Sequence, residues 1–229
     1  MIKAFVKAVQ QLGDPGIRKY ILLSLFSAIV VFIALWSAIG YLLTETAVSD
    51  IGWVESTVDV LGGLATLVLT WFMFPATVSV LIGLFLDQVA NCVEKRHYPQ
   101  LEKTDGAPVG EQIMLTAKFF AILIGLNILM LPFLFLGPIF PFVFYGVNGY
   151  LLGREYFELV AARRMPGEAV TQLRKARQGR LILVGAGIAF LLTVPIVNLL
   201  MPVVATATMV HLFEKWRGDP ATMPAKTSV

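Results

Sequence analysis

The residues with the clearest capacity for chemistry form a short run, Asp14-Pro15-Gly16-Ile17-Arg18-Lys19, just before the first long apolar stretch. An Asp followed by Pro is a standard start signal for a helix, so the run predicts a helix N-terminus. Free N–H groups and the positive end of the helix dipole attract anions there. Gly16 permits close approach, and Arg18 carries a planar fork of donors suited to sulfate or phosphate. Alternatively, Arg18 and Lys19 simply anchor the helix that follows.

Three polar residues further along the chain are candidates for a pathway. Asn148 lies in an apolar run, where its amide needs a partner or water. Arg154 and Glu158 are four residues apart on one predicted helix, so they can pair, either as a solvated ion pair or at a pore mouth. Between them and Asn148, the pattern Gly149-x-x-x-Gly153 permits close helix packing.

Sequence motifs of enzymes are absent from the chain. It has no His-Glu-x-x-His, Gly-x-Ser-x-Gly, Walker A or Cys-x-x-Cys pattern. His97 and His211 are isolated in the sequence, and the single Cys92 lacks a partner for a disulfide or a zinc site. We therefore expect no catalytic residue, no cofactor and no metal. The apolar runs also contain no Asp or Glu that could relay protons.

Composition places the chain in a membrane. Hydrophobic residues make up 57% and charged residues 14%, with a mean hydropathy of +0.78, whereas soluble domains contain roughly 25% charged residues. No Asp, Glu, Lys or Arg occurs in four stretches, 20–44, 60–86, 119–153 and 181–213. Such segregation predicts an all-α integral membrane protein and excludes a soluble enzyme or a nucleic-acid binder.

The pattern divides a single membrane domain, 1–217, into five segments followed by a disordered tail, 218–229. The first segment has apolar residues at helical spacing and lysines on its other face, as in a helix that lies in the membrane interface. The segments are an amphipathic helix at 1–13, long transmembrane helices at 15–44 and 60–97, and helical hairpins at 119–164 and 181–213.

Helix-breaking residues interrupt both predicted hairpins near their middle, at Pro132, Gly137, Pro138 and Pro141 in the first and at Pro195 and Pro202 in the second. Paired, proline-broken apolar segments are typical of transport pathways. Each hairpin either crosses the membrane twice or is re-entrant, entering and leaving on one side; residue counts alone leave both geometries open.

Basic residues are confined to one side of this predicted topology. All 18 lie in the N-terminal segment, the 87–118 loop, the 154–180 connector and the C-terminal residues 214–229, while the 45–59 loop holds four acids and no base. The positive-inside rule then puts both termini in the cytoplasm.

The chain resembles the CysZ family of bacterial sulfate permeases over roughly residues 4 to 217. The resemblance is carried by the run from Asp14 to Lys19, the two proline-broken hairpins, and the segment Asn148-Gly149-Tyr150-Leu151-Leu152-Gly153-Arg154-Glu155-Tyr156-Phe157. It implies an oligomeric inner-membrane protein with two long helices and two re-entrant hairpins. The family's sulfate-binding Gly-Leu-Arg motif corresponds here to Gly16, Ile17 and Arg18, with Lys19 in place of a second arginine.

The resulting hypothesis is a channel-like or facilitative permease that imports sulfate across the bacterial inner membrane for cysteine biosynthesis. Its expected partners are sulfate, the lipid bilayer and further copies of itself, with no nucleic acid. Two alternatives stay open: a transporter of another oxyanion such as sulfite or thiosulfate, or a membrane scaffold that docks a partner through its basic cytoplasmic face.

Overall fold

The computed structural model describes residues 1–45, 52–102, 104 and 121–219, and none of these residues forms a strand. This confirms the predicted all-α fold. The helices are α1 Ile2–Gln10, α2 Pro15–Glu45, α3 Gly52–Gly83, α4 Leu86–His97, α5 121–130, α6 Phe140–Ala161, α7 Gly167–Ala176, α8 Gln178–Leu192 and α9 Pro195–Arg217, with 3-10 turns at Gln11–Gly13 and Leu131–Ile139. The predicted tail is described only for Gly218 and Asp219; the rest of it lies outside the described residues.

The two longest helices, α2 and α3, pack against each other. The indole N–H of Trp36 donates to Thr70 Oγ1 at 2.8 Å, and the rings of Phe32 and Phe74 lie 5.5 Å apart. Because water is absent from the bilayer core, a hydrogen bond between two helices there satisfies both polar groups and fixes their register.

The second long helix differs from its predicted bounds of 60–97. α3 begins at Gly52 and ends at Gly83, and a separate α4 covers Leu86–His97. Helical backbone continues through Pro75, and the break falls at residues 84–85. It coincides with the change from an apolar to a charged sequence, since α4 carries Asp87, Glu94 and Lys95.

Each proline-broken segment is interrupted at one of its predicted sites. In the first, Gly137 adopts φ 51°, a conformation favoured by glycine, and the chain kinks between two helical parts. In the second, α8 ends at Leu192 and α9 begins at Pro195 after two connecting residues. Pro202, by contrast, lies inside α9 without interrupting it, so this break was predicted wrongly.

The hairpin helices α6 and α8 cross in backbone contact. Gly149 and Gly153 on α6 face Gly185 on α8, and a Cβ atom on any of the three would lie less than 3.0 Å from backbone atoms of the other helix. This confirms the close packing predicted from the Gly149-x-x-x-Gly153 pattern.

Helix α9 forms the centre of the bundle, in contact with α1, α3, α4, α6 and α8. Three stretches of the described residues are long and apolar enough to cross a membrane, Pro15–Tyr41, Ala121–Ala161 and Val197–Arg217. The last of these is largely buried inside the protein, while the first two are largely exposed, as lipid-facing segments are. α9 therefore supplies the core around which the lipid-facing helices pack.

Candidate anion-binding site

The candidate site begins where the chain enters α2. Pro15 occupies the first helical position, and the Asp14 carbonyl accepts hydrogen bonds from the amides of Ile17 and Arg18 at 3.1 and 2.9 Å. Among the described residues, the Gly16 amide makes no backbone hydrogen bond. Among the first-turn amides that could bind an anion, the Gly16 amide therefore remains available.

Gly16 and Ile17 hold this helix start against the protein. A Cβ atom on Gly16 would lie 3.2 Å from Cys92 Sγ on α4, so the glycine lets the two helices approach. The Ile17 side chain is 1% exposed and belongs to the core. Burial raises the pKa of the Cys92 thiol, with a further increase from Asp14 and an opposing effect of Lys95. Cys92 therefore fills a helix contact, as its isolation in the sequence suggests.

Arg18 and Lys19 are both exposed and lie together on the outer face of α2. They line the polar end of an open groove of about 600 Å³, whose other walls are Pro15, Leu22, Leu23 and Phe26. No carboxylate of the described residues forms an ion pair with either side chain. Two positive charges are thus presented to a ligand with no counter-ion from the described part of the chain.

Asp14, the acid that immediately precedes this helix, is already paired. The Asp14 carboxylate lies 2.6 Å from Arg96 Nη1, a contact that joins the start of α2 to the end of α4. Burial lowers the pKa of His97, and nearby Lys7 and Arg96 lower it further, while Asp14 acts in the opposite direction. The surroundings of this helix start are therefore electropositive on balance.

The predicted pathway residues lie on α6. Arg154 Nε donates to Glu158 Oε1 at 2.8 Å, and both side chains are buried, at 3% and 9% exposure. Arg174 on α7 lies 3.1 Å from the same carboxylate oxygen, a contact that sequence spacing gave no means to anticipate. Asn148 donates instead within its own helix, to the Phe144 carbonyl at 2.9 Å. Arg154 and Glu158 thus form a buried cluster with Arg174, and they are not a solvated ion pair.

A polar cluster that sequence analysis missed surrounds His211 on α9. Its Nε2 lies 3.0 Å from the amide nitrogen of Gln11, its Nδ1 lies 2.9 Å from Tyr98 Oη, and its ring centroid is 5.2 Å from that of His97. The sequence separation of the two histidines concealed this contact. In the part of the chain that the structure describes, no group of His, Cys, Asp or Glu side chains could hold a metal ion.

Comparison with known proteins identifies the family of this chain. A comparison with curated protein sequences gives no match. A family model, described as sulfate transporter CysZ/etoposide-induced protein 2.4, matches residues 4–202 of the 229-residue chain. The matched segment includes the start of α2, the helices α3 to α8 and the beginning of α9. The chain therefore belongs to the family of the sulfate transporter CysZ and the etoposide-induced protein 2.4.

Proposed function

We propose that this protein is a sulfate permease of the bacterial inner membrane that supplies sulfate for cysteine biosynthesis. Membership of a sulfate transporter family and three potential membrane spans among the described residues support a membrane transporter. Sulfate is bound at Arg18 and Lys19, at the start of the span Pro15–Tyr41, with the Gly16 amide as a further donor. Charge-assisted hydrogen bonds from a guanidinium suit a tetrahedral oxyanion.

One observation supports this site above the others: the pairing of the nine arginines. Seven of them have a carboxylate within 4.0 Å, namely Arg96, Arg154, Arg163, Arg164, Arg174, Arg177 and Arg217. Within the described residues, Arg18 and Arg180 have no such partner. Of these two, only Arg18 lies at the start of a potential membrane span beside a second exposed base. An arginine without a counter-ion is available to a diffusing anion.

The buried cluster of Arg154, Glu158 and Arg174 is a second anion-binding site in this proposal. Its formal charge is positive, because two guanidinium groups share one carboxylate oxygen. A positive charge buried among helices attracts an anion far more strongly than one in water. Asn148 lies on the same helix, α6, and provides an amide donor once its bond to Phe144 is exchanged.

The remaining parts of the proposal follow from charge placement and resemblance. The basic segments place both termini in the cytoplasm by the positive-inside rule, and the resemblance to CysZ implies a homo-oligomer. No nucleotide-binding loop occurs in the sequence, so flux follows the electrochemical gradient of sulfate.

Radiolabelled sulfate uptake into proteoliposomes tests the proposal, with the native chain compared with Arg18→Gln and Arg180→Gln. Arg180 is exposed and, within the described part of the chain, equally without an ion-pair partner, so it is the matched control. We expect Arg18→Gln to lower sulfate affinity about tenfold or more, since a hydrogen bond to a charged group contributes about 1.5–3 kcal/mol. Arg180→Gln should leave uptake unchanged.

The alternatives give different results in the same assay. Another oxyanion is the substrate if sulfite or thiosulfate competes with labelled sulfate at concentrations far below those at which unlabelled sulfate does. If folded protein in vesicles takes up no more sulfate than empty vesicles, the permease proposal fails. A scaffold that docks a partner through its basic face then becomes the better explanation.

A further inference from the structure

The groove beside Arg18 and Lys19 is mostly apolar, which a site for a free inorganic anion does not require. Its two rows follow the helix: Arg18, Leu22 and Phe26 are spaced by four residues, and Lys19 and Leu23 run parallel to them. Leu22, Leu23 and Phe26 are 58%, 41% and 64% exposed. The groove thus joins a doubly positive end to an apolar wall.

The groove runs along the surface of α2, and its length suits a lipid headgroup and the adjoining part of an acyl chain. It starts at Pro15, where the potential span Pro15–Tyr41 begins. At about 1.5 Å rise per residue, Phe26 lies roughly 12 Å further along the helix axis than Arg18. The two bases therefore lie at the level of the headgroups, while the apolar wall extends into the hydrocarbon layer.

We propose that this groove binds one anionic phospholipid, with its phosphate at Arg18 and Lys19 and an acyl chain along Leu22, Leu23 and Phe26. Basic side chains at the end of a membrane helix attract anionic lipids, and the lining contains no carboxylate that would oppose the negative charge. A zwitterionic lipid lacks the net charge that the two bases select. A free phosphate lacks the chain that the apolar wall contacts.

This binding does not require that the protein transports sulfate. Where both proposals hold, the lipid phosphate and sulfate use the same guanidinium group, and anionic lipid competes with sulfate for Arg18. The lipid therefore regulates how readily the site captures its substrate.

Native mass spectrometry of the full chain in detergent, titrated with dioleoyl phosphatidylglycerol or dioleoyl phosphatidylcholine, tests the inference. Phosphatidylglycerol should bind at least tenfold more tightly than phosphatidylcholine. The double variant Arg18→Gln/Lys19→Gln should weaken phosphatidylglycerol binding about 25-fold, or about fivefold for each base. Phe26→Ala should weaken it about threefold to tenfold, because it removes part of the apolar wall.

Two control variants separate the groove from general effects of charge and apolar surface. Lys95→Gln/Lys215→Gln removes the same number of exposed bases elsewhere, and Phe135→Ala removes a phenylalanine that is 92% exposed outside the groove. Both should bind phosphatidylglycerol as the native chain does. Equal affinity for the two lipids, or native affinity in Phe26→Ala, would overturn the proposal.

Soluble glycerol 3-phosphate distinguishes a headgroup from a whole lipid, and we expect it to displace phosphatidylglycerol only at a more than 100-fold higher concentration. Displacement at similar concentrations would mean a simple anion site and would refute the lipid groove. The Phe26→Ala variant keeps Arg18 and Lys19, so its sulfate uptake distinguishes the permease proposal from the lipid proposal. A permease without a lipid site transports normally there and shows native lipid affinity.

Discussion

Gly185 on α8 lies directly against the backbone of Gly149 on α6. A Cβ atom on Gly185 would lie 2.0 Å from the Gly149 carbonyl oxygen and 2.5 Å from the Gly153 amide nitrogen. In a membrane, such close approach replaces the hydrophobic effect as the source of helix association, because lipid tails are as apolar as the side chains. The crossing of α6 and α8 therefore depends on three missing Cβ atoms.

Gly185→Ala is expected to separate α6 from α8 and to destabilise the protein by about 3 kcal/mol or more, at or beyond the upper end of ordinary overpacking costs. Gly187→Ala is the matched control, since it lies on the same helix with no atom within 4 Å of its Cβ position. Thermal unfolding in detergent should show a lower Tm for Gly185→Ala alone. Similar Tm values for both variants would contradict the observed packing.

The contact between Gly16 and Cys92 gives a second prediction. Gly16→Ala places a Cβ atom 3.2 Å from Cys92 Sγ, so it should shift α2 relative to α4 and weaken sulfate uptake. In a Cys92→Ala background the sulfur is gone, and most of the loss should be recovered. Gly13→Ala, with nothing within 4 Å, should behave as the native chain does. If the loss of uptake persists in the double variant, Gly16 contributes through its own backbone and not through its contact with Cys92.

Lys19→Arg should improve sulfate binding severalfold. Lys19 already provides a positive charge at the groove, but an ammonium group lacks the planar fork that binds an oxyanion through two parallel hydrogen bonds. The KM for sulfate uptake in proteoliposomes should fall, with little change in the maximal rate. Lys175→Arg, at an exposed position on α7, is the control. An unchanged KM would place Lys19 outside the site.

Glu158→Gln should lower the free energy of unfolding by about 3–5 kcal/mol, because it leaves the buried Arg154 without its carboxylate. Arg174→Gln should cost less, since Glu158 then still pairs with Arg154. Glu168→Gln removes an exposed acid and should have almost no effect. Chemical unfolding in detergent gives this order, and a smaller effect of Glu158→Gln than of Arg174→Gln would refute it.

Local sequence signals identified most of the helices, because helix starts and turns depend on neighbouring residues. Pro15 and Pro195 each occupy the first position of a helix, and the kink falls at Gly137. Pro202 could not be judged this way: α9 is surrounded by other helices, and packing keeps a proline inside it. The break after Gly83 has no proline to mark it, so the helix-breaking signals in the sequence did not reveal it.

Contacts between residues that are distant in sequence limited how much of the site could be predicted. Arg154 and Glu158 share one turn of helix, so their pairing was foreseeable, whereas Arg174 reaches the same oxygen from another helix. Ile17 is likewise buried and Arg18 exposed, although both lie in one motif. Sequence gives the charges near a helix start, and tertiary packing decides which of them a ligand can reach.

Membrane potential should control the direction and rate of sulfate flux. An inside-negative potential opposes entry of a divalent anion by about 4.6 kcal/mol per 100 mV, and the apolar runs contain no carboxylate for a proton relay. Potassium diffusion potentials set with valinomycin in proteoliposomes should therefore raise initial uptake severalfold when the interior is positive and suppress it when negative. Arg18→Gln vesicles should respond weakly at the same sulfate concentration. Uptake that does not respond to the potential would require both sulfate charges to be compensated, by co-transported cations or by an exchanged anion, and would refute purely facilitative transport.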